Sequence, residues 1–300
     1  MLPNLYIIGI PKSGTTALQR NISQHPEIFS PLIKEPHIYD NELYYDDKRK
    51  RFNSQRDYLD TYKDDYKDEK FIVTAELMAY QDIEIINKIK TDNPNAVLII
   101  MIRDPIELVC SMFKQRLKFS DAGLREITDN VNTAWQLSKH REFGNEFPKG
   151  CNNRKLFMYH YLYDYASKIE KIIQTHQNST IIIDYAYFKK NSDEVYKSLF
   201  KYLSLDNTQI TNKVHNPSFV KKLNRTQAMI TKFSEVTRSR RKALMFNRKT
   251  LPSWMNSWLF GSLSKVNDQI DAKTLDDMRR YFKDTSKFYN KFAGKVTFIG

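Results

Sequence analysis

The sequence has few of the residues that build disulfide frameworks, metal clusters and membrane spans. It contains two cysteines in 300 residues, Cys110 and Cys151, and neither lies in a C-x-x-C or mixed Cys/His cluster. This spacing excludes the common zinc and dithiol motifs and favours two reduced thiols. Apolar runs fall well short of the roughly 20 residues that a membrane-spanning helix needs.

The N-terminus also lacks the charged and apolar regions of a secretory signal, because an apolar strand begins within the first few residues. We therefore expect a cytoplasmic protein. A chain from which an anchor had been removed would read in the same way.

Positive charge is what the chain has in excess. The formal net charge is +13, and 41% of the residues are apolar, which is enough to build a core. This excess indicates an anionic ligand, which could be a nucleotide, an acidic glycan, a nucleic acid or a lipid surface. No internal repeat and no Pro/Gly/Ser linker divides the sequence, so we expect a single domain over residues 1–300.

Short apolar runs alternate with amphipathic stretches along the chain. The runs predict buried strands at residues 5–10, 71–74, 96–102 and 180–184. The amphipathic stretches predict helices at residues 15–23, 82–90, 105–119, 159–174, 192–203 and 271–292. This alternation indicates an α/β fold, a P-loop-like three-layer domain with a central parallel sheet flanked by helices. The charged segment 46–70 has no clear period and is interpreted as a solvated surface loop or short helix.

The segment LYIIGIPKSGTT at residues 5–16 is typical of a strand that feeds a phosphate-binding loop. Backbone N–H groups and the helix dipole favour anions at such a helix start. Gly14 permits close approach of the backbone, Lys12 adds a full charge, and hydroxyl donors come from Ser13, Thr15 and Thr16. In a Walker loop the lysine directly follows the last glycine, but Thr15 occupies that position here. Magnesium-dependent chemistry on ATP is therefore the less favoured interpretation.

A second anion-binding candidate follows the predicted strand at residues 96–102. Arg103 stands at its carboxyl end, and Ser111 lies two turns into the next helix. Ligands of open α/β sheets bind outside the carboxyl ends of the strands, so Arg103 should face the same crevice as the first loop. A guanidinium there suits a second phosphate, which it can hold through two hydrogen bonds.

These two motifs, in this order and spacing, resemble those of sulfotransferases that use 3′-phosphoadenosine 5′-phosphosulfate (PAPS) and release adenosine 3′,5′-bisphosphate (PAP). The resemblance covers most of the chain, including residues 161–205 and 278–294. It implies that the 5′-phosphosulfate is held by Lys12, Ser13, Gly14, Thr15 and Thr16. It also implies that Arg103 and Ser111 hold the 3′-phosphate, and that Lys12 stabilises the leaving group.

The segment KEPHIYD at residues 34–40 is similar to one found in heparan sulfate and other carbohydrate sulfotransferases and in their bacterial relatives. There the glutamate is the catalytic base, which assigns that role to Glu35, with no metal required. His37 lies on the same face of an extended segment and could orient the base or, with Asp40, contact the acceptor. A hydrogen-bonded structural histidine is the equal alternative.

The resemblance implies an acceptor hydroxyl or amine, expected on a carbohydrate. Heparan sulfate enzymes often carry a Glu-Lys-Thr-Pro-like segment on the second strand, whereas this chain has AELMAY at residues 75–80, so no lysine follows Glu76. This difference argues against heparan sulfate itself. The basic segment 221–249 could cover the cofactor, receive an acidic acceptor or form a solvated face. The apolar segment 251–260 is expected to pack against the domain.

Two other functions remain open at this point. One is a P-loop kinase with a displaced lysine that acts on ATP. The other is a non-catalytic protein on the same fold that binds a polyanion through its positive charge. Nucleic acid is the less favoured polyanion, because no basic motif interleaved with aromatic residues is found.

Overall fold

A six-stranded sheet forms the centre of the computed structural model, which describes residues 1–44, 52–119, 121–211, 220–221, 263–264 and 269–299. The strand order is β2-β3-β1-β4-β5-β8. The strands are β1 Leu5–Gly9, β2 Ile28–Phe29, β3 Phe71–Ala75, β4 Val97–Ile102, β5 Thr180–Asp184 and β8 Val296–Ile299. Two short strands, β6 Val220–Lys221 and β7 Leu263–Ser264, form a separate antiparallel pair.

The sheet is parallel except at one edge. Strands β2, β3, β1, β4 and β5 run in the same direction, with Leu5 paired to both Val73 and Val97. Strand β8 pairs antiparallel with β5. The predicted central parallel sheet is confirmed for these five strands, and β8 is an additional antiparallel edge strand that was not predicted. A tight turn at Gly294, which has a φ of +75°, joins α12 (Lys283–Phe292) to this strand.

Helices cover both faces of the sheet. They are α1 Thr15–Ile22, α2 Asn41–Tyr44, α3 Gln55–Leu59, α4 Ile83–Asp92, α5 Pro105–Arg116, α6 Val131–His140, α7 Tyr159–Tyr163, α8 Ala166–His176, α9 Tyr185–Lys190, α10 Ser192–Tyr202, α11 Ala272–Tyr281 and α12 Lys283–Phe292. The helices predicted at 159–174 and 271–292 are each divided in two, and α2, α6 and α9 were not predicted. Among the described residues, no helix is both long and apolar enough to cross a bilayer.

Alternate residues of the strands face two separate apolar layers. Tyr6 and Ile8 of β1 belong to the layer that includes α4, α5, α7 and α8. Leu5 and Ile7 point the other way, into the layer that includes α1 and α10. The nearly continuous apolar strands therefore reflect burial on both faces, as the sequence predicted.

The segment after residue 51 is less solvated than its charge suggests. It contains the short helix α3, but Tyr58 and Tyr62 are each only 3% exposed and pack against Ile72. The interpretation as a short helix is confirmed, but part of the segment is buried, because its aromatic side chains pack against β2 and β3 at one side of the sheet. The predictions for residues 45–51, 222–249 and 251–260 lie outside the described residues.

Candidate active site

The loop between β1 and α1 adopts the tight conformation that a phosphate-binding loop needs. Gly14 has a φ of +88°, and a Cβ atom there would lie 2.8 Å from the ring of Tyr185. Only glycine fits this position without displacing that ring. Because the first N–H groups of a helix have no partner within it, the start of α1, where Gly14, Thr15 and Thr16 lie, can offer donors to an anion.

Ser13 holds the loop together from inside. Its side chain is fully buried, and its hydroxyl donates to the carbonyl oxygen of Ile10 at 2.5 Å. The backbone N–H of Ser13 donates to the same oxygen at 3.2 Å. In this conformation the predicted hydroxyl donor to the cofactor is therefore engaged within the loop, because the chain must satisfy the Ile10 carbonyl at the turn.

Lys12 lies in a strongly cationic environment. Burial, together with the positive charges of Lys118, Arg103 and Arg116, lowers the pKa of Lys12 to about 8, while Glu35 acts in the opposite direction. Among the described residues, no ion pair to Lys12 is found. An anionic ligand would stabilise the charged form of this lysine.

Arg103 is attached to the same loop. Its Nη1 donates to the carbonyl oxygen of Lys12 at 3.1 Å, and its Nε donates to Glu107 at 2.9 Å. Its guanidinium lies 4.5 Å from the ring centroid of Tyr185, and its own carbonyl oxygen accepts from the Tyr165 hydroxyl at 2.8 Å. The fold thus brings the two predicted motifs together at one edge of the sheet, with half-buried Ser111 on the helix that follows Arg103.

Glu35 is the accessible carboxylate of the segment at residues 34–40. Its side chain is 30% exposed and forms an ion pair with Lys34. Glu35 also acts electrostatically on Lys12. The predicted base is therefore close enough to the predicted leaving-group lysine for its charge to act on it.

His37 and Asp40 point into the interior. Asp40 is fully buried, and its carboxylate contacts His37 Nδ1 at 2.7 Å and accepts the Met78 N–H at 2.7 Å. His37 is 5% exposed and has a φ of +55°. The expected acceptor contact of Asp40 is inconsistent with this burial, so we revise its role to holding the segment in place. For His37 the placement favours the orienting or structural alternative over acceptor contact.

Glu76 holds the segment at residues 34–40 in place through hydrogen bonds to its backbone. Its carboxylate accepts the N–H groups of Ile38 at 3.1 Å and of Tyr39 and Asp40 at 3.3 Å each. Burial and the neighbouring Asp40 carboxylate raise the pKa of Glu76 well above its ordinary value. Potential ligand atoms of His37, Asp40 and Glu76 lie within 4.8 Å of one another. Backbone N–H groups already donate to the carboxylate oxygens of Glu76 and Asp40. We therefore interpret the cluster as a structural hydrogen-bond network and not as a metal centre.

Comparison with known proteins decides the family. Residues 2–284 match the sequence model of the family described as "Sulfotransferase domain". The chain belongs to this family. This sulfotransferase domain is also 40% identical over 80 residues to carbohydrate sulfotransferase 15 of human, rat and mouse. That stretch is 27% of the chain and spans only 13% of those curated relatives.

Solved structures agree with the fold of this sulfotransferase domain. A sulfotransferase from Alicyclobacillus acidocaldarius matches with a TM-score of 0.61 and 18% identity, over 85% of this chain and 99% of that one. Mouse sulfotransferase SULT7A1 complexed with PAP matches with a TM-score of 0.50 and 14% identity, over 97% of this chain and 88% of that one. At these identities the likeness establishes the fold.

Two side chains of the site, one aromatic and one cationic, were not predicted from the sequence. Tyr185 follows β5 directly and packs on both Gly14 and Arg103. The rule that ligands gather at the carboxyl ends of strands could have singled it out. Arg116, which acts on Lys12, carries no motif of its own and looks like an ordinary helix-ending arginine in the sequence.

Proposed function

We propose that this sulfotransferase domain transfers the sulfuryl group of PAPS to a hydroxyl or amine of a carbohydrate acceptor. The observation that supports it best is the electrostatic environment of Lys12, on which both several cations and the carboxylate of Glu35 act. Such a lysine can neutralise a leaving phosphate while the carboxylate accepts the proton of the attacking group. The family and the carbohydrate sulfotransferase relatives agree with this chemistry.

In this proposal the loop between β1 and α1 binds the 5′-phosphosulfate of the cofactor, and the residues after β4 bind its 3′-phosphate. The N–H groups of Gly14, Thr15 and Thr16 and the ammonium of Lys12 bind the 5′-phosphosulfate. Arg103 has N–H groups left over after its bonds to Lys12 and Glu107, and with Ser111 it binds the 3′-phosphate. Ser13 supports the loop through its bond to Ile10.

The proposed reaction is an in-line displacement at sulfur. Glu35 takes the proton of the acceptor as its oxygen or nitrogen forms the new bond to sulfur. The bond from sulfur to the bridging oxygen of the 5′-phosphate breaks, and PAP leaves with that electron pair. Lys12 stabilises the charge that grows on the bridging oxygen. Positioning and positive charge from the chain supply this catalysis, so the proposal calls for no metal.

His37, Asp40 and Glu76 act indirectly in this scheme. The bonds from Glu76 to three successive N–H groups fix the backbone that follows Glu35. The contact of Asp40 with His37 fixes the turn between them. We therefore assign these three side chains as positioning residues for the base.

The test is a transfer assay with radiolabelled PAPS and a panel of glycans, combined with calorimetric binding of PAP and ADP. We expect PAP to bind far more tightly than ADP. We expect Glu35→Gln to lower kcat by about 10²–10⁴-fold because general-base catalysis is lost, with PAP affinity unchanged. Glu42→Gln, at an exposed glutamate of α2, is the matched control and should behave like the wild type.

Four outcomes would overturn the proposal or one of its assignments. Equal affinity for PAP and ADP, or turnover of ATP that depends on magnesium, would favour the kinase alternative. Near-normal transfer by Glu35→Gln would remove the base assignment while leaving the cofactor assignment intact. Salt-sensitive binding of polyanions with no transfer to any acceptor would favour the non-catalytic alternative.

A further inference from the structure

Arg103 lies in a short connection that the sheet itself does not hold. Strand β4 ends at Ile102 and α5 begins at Pro105, so Arg103 belongs to the turn between them. The last sheet pair of β4 and β5 joins Ile102 to Asp184. Arg103 therefore lies one residue beyond the paired part of β4, and its position must be fixed by side chains from other elements.

The hydroxyl of Tyr165 fixes the backbone of Arg103. It donates to the Arg103 carbonyl oxygen at 2.8 Å. Tyr165 is fully buried, and burial raises its pKa well above the ordinary value, so the hydroxyl stays protonated and remains a donor. The ring of Tyr165 packs edge-on against that of Phe288 in α12, with 6.1 Å between the ring centroids. One hydroxyl and one ring contact thus connect the Arg103 backbone to α12.

Asp184 joins the start of α9 to the same C-terminal helix. It is the last residue of β5 and is only 1% exposed. Its carboxylate accepts the N–H groups of Ala186 at 3.1 Å and Tyr187 at 3.3 Å, which belong to the first turn of α9. It also accepts the Tyr289 hydroxyl of α12 at 3.1 Å and the N–H of Gly294, in the turn after α12, at 2.8 Å. This buried carboxylate is therefore satisfied by two donors from each element.

Tyr185 carries the effect of Asp184 to the cofactor site. It is the first residue of α9, directly after Asp184. The guanidinium of Arg103 lies over its ring, 4.5 Å from the centroid, and the same ring packs against Gly14 of the phosphate-binding loop. A guanidinium is attracted to the face of an aromatic ring, so the position of this ring restricts where the Arg103 side chain can lie.

We propose that Tyr165, Asp184 and Tyr289 are positioning residues for Arg103, and that α12 thereby sets the preference of the cofactor site for a nucleotide with a 3′-phosphate. They act through the carbonyl oxygen of Arg103 and through the ring of Tyr185. This inference rests on the proposed function, because it uses the assignment of Arg103 to the 3′-phosphate. A guanidinium that is already ordered loses less conformational entropy when the phosphate binds, so affinity for the 3′-phosphate rises.

The test compares the binding of PAP with that of adenosine 5′-monophosphate (AMP), which lacks the 3′-phosphate. Calorimetry measures both affinities for the wild type, Tyr165→Phe and Tyr289→Phe. We expect each variant to bind PAP about 3–10-fold more weakly, the effect of one lost hydrogen bond, and to bind AMP like the wild type. Tyr281→Phe, which removes the hydroxyl of a partly exposed tyrosine of α11, is the matched control and should keep the wild-type ratio of the two affinities.

Asp184 is tested through its partner Tyr289. Replacing a buried carboxylate that accepts four donors would threaten folding itself. Tyr289→Phe instead leaves the carboxylate and its three N–H donors in place. Equal weakening of PAP and AMP binding in Tyr165→Phe and Tyr289→Phe would assign these hydroxyls a general structural role and would overturn the inference.

A double-mutant cycle separates positioning of Arg103 from independent effects on the site. In Arg103→Met the 3′-phosphate has lost its guanidinium, so adding Tyr165→Phe should change PAP affinity little. If Tyr165→Phe weakened PAP binding as much in Arg103→Met as in the wild type, the hydroxyl would act independently of Arg103. That result would also overturn the inference.

Failure of the proposed function looks different from failure of this inference. If the wild type bound PAP and AMP equally and Arg103→Met changed neither affinity, the assignment of Arg103 to the 3′-phosphate would fall, and the positioning roles with it. If Arg103→Met abolished a preference for PAP that Tyr165→Phe and Tyr289→Phe retained in full, the positioning roles alone would be overturned.

Discussion

Two buried arginines lie against the same phenylalanine ring, yet among the described residues only one of them has a carboxylate partner. Arg141 has Glu126 as a bidentate partner, and Tyr159 donates to that same carboxylate. We refer to these three residues as the paired network. Arg116 has neither a carboxylate nor a carbonyl partner among the described residues, and Lys12, on which it acts, has no ion pair there either. We refer to Arg116 and Lys12 as the open cations.

The difference separates charges that serve the fold from charges that serve a ligand. A buried charge whose partners all come from the chain contributes specificity, and it is costly to break. A buried charge without a partner is a cost to the folded state that a bound anion can remove. The paired network should therefore affect stability and leave ligand binding intact, whereas the open cations should do the reverse.

The largest effect is expected from breaking the paired network. Arg141→Met leaves Glu126 buried without its counter-charge, so the free energy of unfolding should fall by about 3–5 kcal/mol. Denaturant unfolding followed by circular dichroism measures this loss. PAP affinity, measured where the variant is still folded, should be unchanged.

A double variant sharpens this prediction. Arg141→Met combined with Glu126→Leu removes both charges and should recover most of the lost stability, because no unpaired charge remains. A single variant as stable as the wild type would show that the network is not the source of stability that its geometry indicates.

Replacing an open cation should have little effect on stability and a large effect on the rate of sulfuryl transfer. Lys12→Met should lower kcat for sulfuryl transfer by about 10²–10³-fold, the usual loss when one stabilising group at a developing negative charge is removed. Its melting temperature should not fall, since a cation in a cationic environment has been removed. Lys171→Met, which removes an exposed lysine of α8, serves as the control. A variant that loses stability as much as Arg141→Met would contradict the comparison between the two groups.

The sequence predicted the frame of the site better than its interior. The four main strands, the loop at Lys12 and the position of Arg103 at a strand end could be read because each depends on local patterns of apolar residues, glycine and charge. Strand β8 and the break between α7 and α8 were missed. Both depend on tertiary contacts, namely the pairing of β8 with β5 and the bond from the Thr285 hydroxyl to Asp164 at 2.5 Å.

The roles of buried polar residues could not be read from spacing. The period of an extended segment placed His37 beside Glu35, but the positive φ of His37 turns the segment and buries it with Asp40. Glu126 and Arg141 are fifteen positions apart, and nothing local distinguishes that arginine from Arg116. Which of two buried arginines has a partner is decided by packing around Phe157, and only coordinates show it.

The smallest predicted effect is the pH dependence of cofactor binding, and its sign follows from Lys12. Burial and the neighbouring positive charges together lower the pKa of Lys12 in the free protein from 10.5 to about 8. Bound PAP would raise this pKa again, because its phosphates favour the ammonium form. PAP affinity should therefore be nearly constant from pH 7 to 8 and then fall by up to about tenfold per pH unit.

The stability of the free protein should respond to Lys12 in the opposite direction. Between pH 8 and 10.5 the unfolded chain binds more protons at Lys12 than the folded one does, so this residue contributes a stability that rises with pH. Lys12→Arg keeps its charge throughout this range and should bind PAP without the fall above pH 8. Calorimetric titrations with PAP from pH 7 to 10 compare the wild type with Lys12→Arg. Lys118 is present in both proteins, so the two differ only at position 12. An identical fall in affinity for Lys12→Arg would show that another group titrates, and that Lys12 is not an open cation in the free protein.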